Sequence, residues 1–175
     1  MEEISQEVKK VLHEGEMKIY NTLDELSIQY KVFEHEPVYT ADQLVVIKDV
    51  ACGNHCKNLF LRNVKGDKYY LVVIRDDKNA DLKSLKEQIG STRLSFASPE
   101  RLYDILNLLP GSVNAFSIIN DRDRKVQLYI DSDVLDGQNL NFHPNINTKT
   151  INISLEGFKK FLNYIEYPLN TVEVL

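Results

Sequence analysis

Two apolar runs of β-type residues, 57–64 and 69–75, stand on either side of Lys65-Gly66-Asp67-Lys68. A parallel crossover needs a dozen or more residues, so a four-residue link containing glycine closes these runs as an antiparallel hairpin. A chain with that hairpin near its middle must build a sheet around it, and the flanking segments decide the class. Upstream, Ile4, Val8, Val11 and Leu12 recur at helical spacing, with Gly15 as the expected stop. A second helix is expected from the Asn21-Thr22 caps through Leu23, Leu26 and Ile28 to about Tyr30. Residues 31–35 alternate like a strand, and Thr40 and Asp42 are placed to cap a short helix after Pro37.

Downstream, Asp81 and Gly90 bracket a helix, and Ser98-Pro99-Glu100 opens another, because proline at the first helical position sacrifices no hydrogen bond. After Pro110-Gly111 strands are expected at 115–119, 126–130, 140–143 and 150–153, with Asp121-Arg122-Asp123-Arg124 as the turn between the first two. Ser154 then caps a last helix carrying Leu155, Phe158, Leu162 and Ile165. This order predicts a mixed α/β fold around a largely antiparallel sheet with surrounding helices. No repeat and no Pro/Gly/Ser linker divides the 175 residues, so one domain over 1–175 is expected.

Charge and cysteine usage narrow the function classes. The first 36 residues hold nine acids and four lysines, which by themselves supply the net charge of −5; the rest is balanced. No global positive field gathers phosphate, so any grip on RNA must come from local basic groups. Lys78, Lys83, Lys86 and Arg93 are the candidates. No apolar run approaches the ~20 residues that span a bilayer, so no membrane partner is expected. The N-terminal sequence has no basic and then apolar signal region, which reads as a cytoplasmic protein.

Cys52-Gly53-Asn54-His55-Cys56 sets three soft donors within five residues. Adjacent His55 and Cys56 are awkward partners on one tetrahedral ion, and no second CxxC or HxxxH completes the set, so no metal is expected. The same adjacency on a strand sends the two side chains to opposite faces, which weakens a cysteine nucleophile with a histidine base. Lys57 and Asn58, at the mouth of an apolar strand, could offer a cation and a two-way hydrogen bonder to a polar substrate. A surface lysine and a turn asparagine is the plainer reading of the same pair. The loop after Pro110 could aim backbone N–H groups at a developing oxyanion, though most such loops are only turns. His143, at a strand end before Pro144, could bind a substrate amine or carbonyl or position water, or be structural.

In order along the chain, several segments together resemble the YbaK/prolyl-tRNA synthetase editing-domain family. They are Lys57-Asn58-Leu59-Phe60-Leu61-Arg62, Tyr69-Tyr70-Leu71-Val72-Val73, the helix with Leu82 and Leu85, and Arg93-Leu94-Ser95-Phe96-Ala97. Pro110-Gly111-Ser112-Val113, Ile118-Ile119-Asn120-Asp121 and Phe142-His143-Pro144 continue the series. The likeness covers about residues 22–166, and the helical extension over 1–21 is similar to that of the free-standing, alanine-specific members.

The resemblance implies hydrolysis of the ester that joins an amino acid to the terminal adenosine of tRNA, by water and with no protein nucleophile or cofactor. It places Lys57, Asn58 and Gly111 at the catalytic centre, and His143, Ser112, Ala115 and Phe60 along the substrate pocket. The implied partner is tRNA(Pro) charged with alanine, beside prolyl-tRNA synthetase, with the chain itself a monomer. Cysteinyl-tRNA(Pro) as substrate, or a non-catalytic module that senses aminoacyl-tRNA or amino acid, are the alternatives. The family loop usually reads Gly-x-x-x-Pro; here the last position is Ala115, which predicts a looser backbone after Gly111.

Overall fold

The structure, a computed structural model, describes residues 4–37, 45–48 and 50–175. It opens with one long helix, α1 (Gln6–Glu25), capped by the Ser5 hydroxyl accepting from the Val8 N–H. Two helices divided at Gly15 were expected; the helix instead runs through Gly15 and absorbs Asn21 and Thr22. Ile19 and Leu23 are fully buried, so tertiary packing overrides the local stop signal. Strand β1 (Tyr30–Glu34) and the short helix α2 (Val45–Lys48) follow; the predicted caps Thr40 and Asp42 lie outside the described residues.

The central hairpin forms as expected from β2 (Asn54–Arg62) and β3 (Tyr69–Arg75), in antiparallel register from Cys56 opposite Arg75 to Arg62 opposite Tyr69. Helix α3 (Leu82–Ile89) takes its cap from the Asp81 carboxylate and ends at Gly90, and α4 (Pro99–Leu106) takes its cap from Ser98, as the sequence predicts. Between them, Ser95–Phe96 forms a two-residue strand, β4, on β2. The segment expected as a strand at 115–119 is instead a 3-10 helix, Ala115–Asn120. The cause is local: the Asn114 side chain accepts from the Ser117 N–H and turns the backbone before it can extend.

The remaining elements are β5 (Val126–Asp131), α5 (Ser132–Leu135), β6 (Asn139–Phe142), β7 (Lys149–Ser154), α6 (Leu155–Tyr164) and β8 (Asn170–Val172). Among the described residues the strands run β1-β7-β6-β2-β3-β5-β8, with β4 beside β2. Three pairings are parallel, β2–β6, β3–β5 and β5–β8, and the others are antiparallel.

One sheet face packs under α1, α4, α6 and the 3-10 helix, around Phe116, Phe142, Phe158 and Phe161, all within 2 % exposure. Phe116 meets the other three rings edge-on at 5.3–5.9 Å between centroids, the geometry that aromatic quadrupoles favour. The opposite face splits in two. Helix α3 covers its β3 side through Leu85, and Ile47 and Ala51 cover its β1 side against Phe33.

A candidate active site where two strands part

Among the described residues one edge of β2 is thinly paired. Strand β2 meets β6 through only two parallel pairs, Asn54 with Leu140 and His55 with Asn141. Farther along, its same edge meets β4 at Leu61 and Arg62. Between these contacts no described strand pairs with this edge of β2. The His55 carbonyl accepts from Asp76 on the β3 side, and the Phe60 carbonyl accepts from Ala97 on the β4 side. Main-chain groups alternate in direction along a strand, so the N–H and C=O of Asn58 turn toward the gap.

Side chains alternate between the sheet faces in the same way. Lys57 shares a face with Leu59 and Leu61, whereas Asn58 shares the core face with Cys56 and Phe60. The two residues expected together therefore point to opposite sides and meet only at the open edge between them. The Lys57 ammonium donates one hydrogen bond, to Asn79 Oδ1 at 3.4 Å, and no described carboxylate lies within ion-pairing range. Lys48, Lys78 and Lys149 are each committed to acids. Asn58 Oδ1 is buried without a partner among the described residues, an arrangement that costs about 1–3 kcal/mol unless a donor meets it.

His143 lies just past the end of β6, and the two-pair register, continued, brings it to the Lys57 face of the sheet. Its Nδ1 sits 2.9 Å from the Lys149 carbonyl. A carbonyl only accepts, so Nδ1 carries the proton and the neutral ring keeps a lone pair on Nε2. Burial pushes the His143 pKa below the ordinary histidine range, against an opposing pull from the Lys149 carbonyl, and the neighbouring His35 lowers it further. The His35 ring is 5.9 Å away, with its Nδ1 on the Glu36 carbonyl and its Nε2 on the Thr150 hydroxyl.

Asparagines hold the turn that leads into β2. The Cys52 carbonyl accepts from Asn152 at 2.7 Å and from Asn141 at 3.1 Å, and Asn152 also donates to Asn141 Oδ1. His55 Nε2 sits 2.9 Å from the Ala51 carbonyl. The sequence offered Cys52, His55 and Cys56 as a conceivable metal set; in the fold His55 Nε2 donates to this carbonyl. Among the described residues no three His, Cys, Asp or Glu side chains converge as ligands. Burial drives the Cys56 thiol far above its ordinary pKa, with Asp76 adding to the effect, so it stays protonated and is a poor nucleophile.

The Gly111 loop leads from α4 into the 3-10 helix. Gly111 is exposed at φ 89°, and the Ser112 N–H is spent on the Leu109 carbonyl. The Gly111, Val113 and Asn114 N–H groups have no acceptor among the described residues. Beside Ala115, side-chain hydrogen bonds tie the segment down. Asn114, fully buried, donates to the Ser112 carbonyl and to Asn145 Oδ1, both at 2.9 Å, while capping the 3-10 helix. Ala115 occupies the first helical position, where proline would forfeit no hydrogen bond, so the asparagine cap supplies what proline supplies elsewhere. The Asn114–Asn145 bond ties the loop to the turn after His143.

Phe60 and Ala115, expected along the pocket, lie in the core, and Phe60 stacks on Tyr69 at 5.6 Å. Lys78, a candidate for RNA contact, is corrected by the structure: Asp131 at 2.7 Å, Asp133 at 2.6 Å and the Val174 carbonyl hold its ammonium. Sequence reasoning missed Asn114, Asn145, Asn141, Asn152 and His35. Asparagines in loops signal turns, and only the fold reveals that these converge.

Residues 35–161 match the aminoacyl-tRNA editing domain family. The chain belongs to that family. The editing domain is 41% identical over 140 residues to the prolyl-tRNA editing protein ProX of Acetoanaerobium sticklandii, covering 80% of this chain and 85% of that one. It is 33% identical over 144 residues to the mouse prolyl-tRNA synthetase associated domain-containing protein 1, covering 80% and 85%. Its fold superposes on the crystal structure of a proposed trans-editing enzyme for prolyl tRNA synthetase with a TM-score of 0.68 and 17% identity, over 98% of both chains. No helix among the described residues is long and apolar enough to cross a membrane.

Proposed function

We propose that this editing domain is a trans-acting deacylase that hydrolyses the ester of alanine mischarged onto tRNA(Pro). The observation that carries the reading is an unpaired lysine and a neutral histidine beside the gap between β2 and β6, in a chain of this family. The aminoacyl ester would enter that gap. Lys57 would face the terminal phosphate or the acyl oxygen, and the Gly111 and Val113 N–H groups would receive the negative charge that develops on that oxygen. Asn58 would hold the ester or the attacking water. The water's oxygen forms the new bond to the acyl carbon, the bond to the ribose oxygen breaks, and that oxygen takes up a proton. A ribose hydroxyl of the substrate assists the water. The protonated Cys56 takes no part.

His143 would line the amino-acid pocket and, with its Nε2 lone pair, accept from the substrate amine or from water. Chemistry requires such a second pocket. A site shaped for proline cannot exclude the smaller alanine by clash, and each missing methylene discriminates by only about 1–3 kcal/mol. A pocket too small for proline supplies the remainder.

The test is deacylation of alanyl-, cysteinyl- and prolyl-tRNA(Pro). Alanine is expected to be lost rapidly and proline spared. Loss of cysteine instead would move the specificity, and no turnover by folded protein would favour a sensing module. In the same assay His143→Ala is expected to lower the rate and to weaken the preference; a variant unchanged in both removes His143 from the pocket.

The acid limb of kcat/KM supplies a further prediction. Activity that needs neutral His143 should hold below the ordinary histidine pKa of about 6.5 before it falls. The sign for stability agrees. The unfolded chain takes the proton first, so this contribution is complete above the unfolded pKa and is lost as pH falls toward the depressed folded one. A limb centred at or above about 6.5, or one that survives in His143→Ala, assigns the titration to another group.

A further inference from the structure

Helix α1 lies wholly before residue 35, where the family match begins. Even so, one stretch of it touches both arms of the site. Gly15 packs so closely on Asn145 that a Cβ there would sit 3.2 Å from the asparagine Nδ2, and Asn145 in turn holds Asn114 of the Gly111 loop. Glu16, only 5 % exposed, accepts from the Lys149 ammonium at 2.7 Å and from the Tyr20 hydroxyl at 2.9 Å. Lys18 donates to the Ile119 carbonyl and to Asn120, at the end of the 3-10 helix that follows the loop. The exposed Glu34 stands 4.0 Å from the same Lys149 ammonium, too far to replace a buried contact.

We infer that α1 is a working part of the editing site, and that Glu16 is a positioning residue that sets His143 through Lys149. The chain of contact is short. The Glu16 carboxylate fixes the Lys149 side chain, Lys149 begins β7, and its carbonyl holds the His143 Nδ1 proton. That hydrogen bond fixes both the tautomer and the direction in which the Nε2 lone pair points. A glycine in a helix interior is unfavourable relative to alanine, and the close approach to Asn145 explains why one stands at 15. A buried carboxylate is likewise costly unless matched, and Lys149 and Tyr20 match this one. Tyr20 answers in kind: burial and its hydrogen bond to Glu16 hold its hydroxyl well above the ordinary tyrosine pKa, so it remains a donor.

The inference rests on the deacylase reading for its effect on rate, but not for its effect on the histidine. The experiment compares wild type, Glu16→Ala and Glu16→Gln, each as full-length chain. It reads kcat and KM on alanyl-tRNA(Pro), and the His143 ring nitrogens by 15N NMR. Wild type is expected to show the Nδ1–H tautomer alone. In Glu16→Ala the two tautomers mix, and kcat falls about tenfold to a hundredfold, the scale of a misplaced catalytic group, with KM within about twofold. Glu16→Gln, whose amide oxygen still accepts from both partners, recovers most of the rate and the single tautomer. Lys149→Met removes the other half of the pair, shows the same pattern as Glu16→Ala, and takes its place if that variant does not fold. An unchanged kcat in a folded variant, or a fall in kcat with the His143 tautomer unmoved, overturns the inference. If wild type itself deacylates nothing, the functional reading fails, while the tautomer comparison still decides the coupling.

Discussion

Replacing Lys57 by alanine is expected to lower kcat/KM on alanyl-tRNA(Pro) by about 10²–10³-fold, the range found when one pre-set group facing a developing charge is removed. Its ammonium is the reason. It has a single long hydrogen bond, to Asn79, and no carboxylate partner among the described residues, so its charge is available to a phosphate or an acyl oxygen. The fold should hardly notice the change. The Lys57 side chain is half-buried and belongs to no apolar cluster, and the Lys57–Ile74 pairing of β2 with β3 runs through the main chain. Activity and stability should therefore separate: a large loss of turnover with a melting temperature within a few degrees of wild type. Lys57→Arg retains the charge but exchanges a compact ammonium for a wide planar fork, and should recover only part of the rate. An alanine variant that turns over at the wild-type rate would remove Lys57 from the site.

How much of this was legible beforehand follows from the kind of signal each feature carries. The β2–β3 hairpin, the α3 and α4 caps and the Ser154 cap of α6 are local in cause, and all form where the sequence places them. The failures are non-local or competitive. Gly15 reads as a helix stop, yet it lies mid-helix because burial of Ile19 and Leu23 carries the helix on, while Asn145, 130 positions along the chain, leaves little room for a side chain there. Residues 115–119 have strand composition, but one Asn114 side chain bends them into a 3-10 helix. The site divides in the same way. Lys57, Gly111 and His143 could be singled out from residue type and family likeness. The partings, carbonyls and asparagines that aim them depend on strand order, above all on the two-pair join of β2 to β6. Adjacent Lys57 and Asn58 look like a pair in sequence and diverge in space, since neighbours on a strand must.

The second large effect is expected at Gly53, outside the reacting groups. Gly53→Ala should destabilise the protein by about 3 kcal/mol or more, through two causes that act together. The residue stands at φ 97°, a conformation that costs an L side chain about 1–3 kcal/mol. The added Cβ would also lie 2.4 Å from the Asn139 carbonyl oxygen and 2.7 Å from the Asn139 Cβ, so backbone has to move. Neither side can yield cheaply. Asn139 is paired with Ser154 in the sheet and donates to Asn152, while the Cys52 carbonyl is held by Asn141 and Asn152. For a chain of this size each kcal/mol lowers the melting temperature by about 2–4 °C, so a fall of about 6–12 °C is expected. Gly90→Ala is the control. It shares a positive φ, 72°, but has no atom within 4 Å of the added Cβ, so it should lose only the conformational part. If the two variants melt together, the turn over 52–54 relaxes freely and the asparagines do not fix it. If Gly53→Ala alone falls steeply, the turn is rigid. Its surviving folded fraction should then also deacylate more slowly, because the displaced segment is the one that carries Lys57 into the gap.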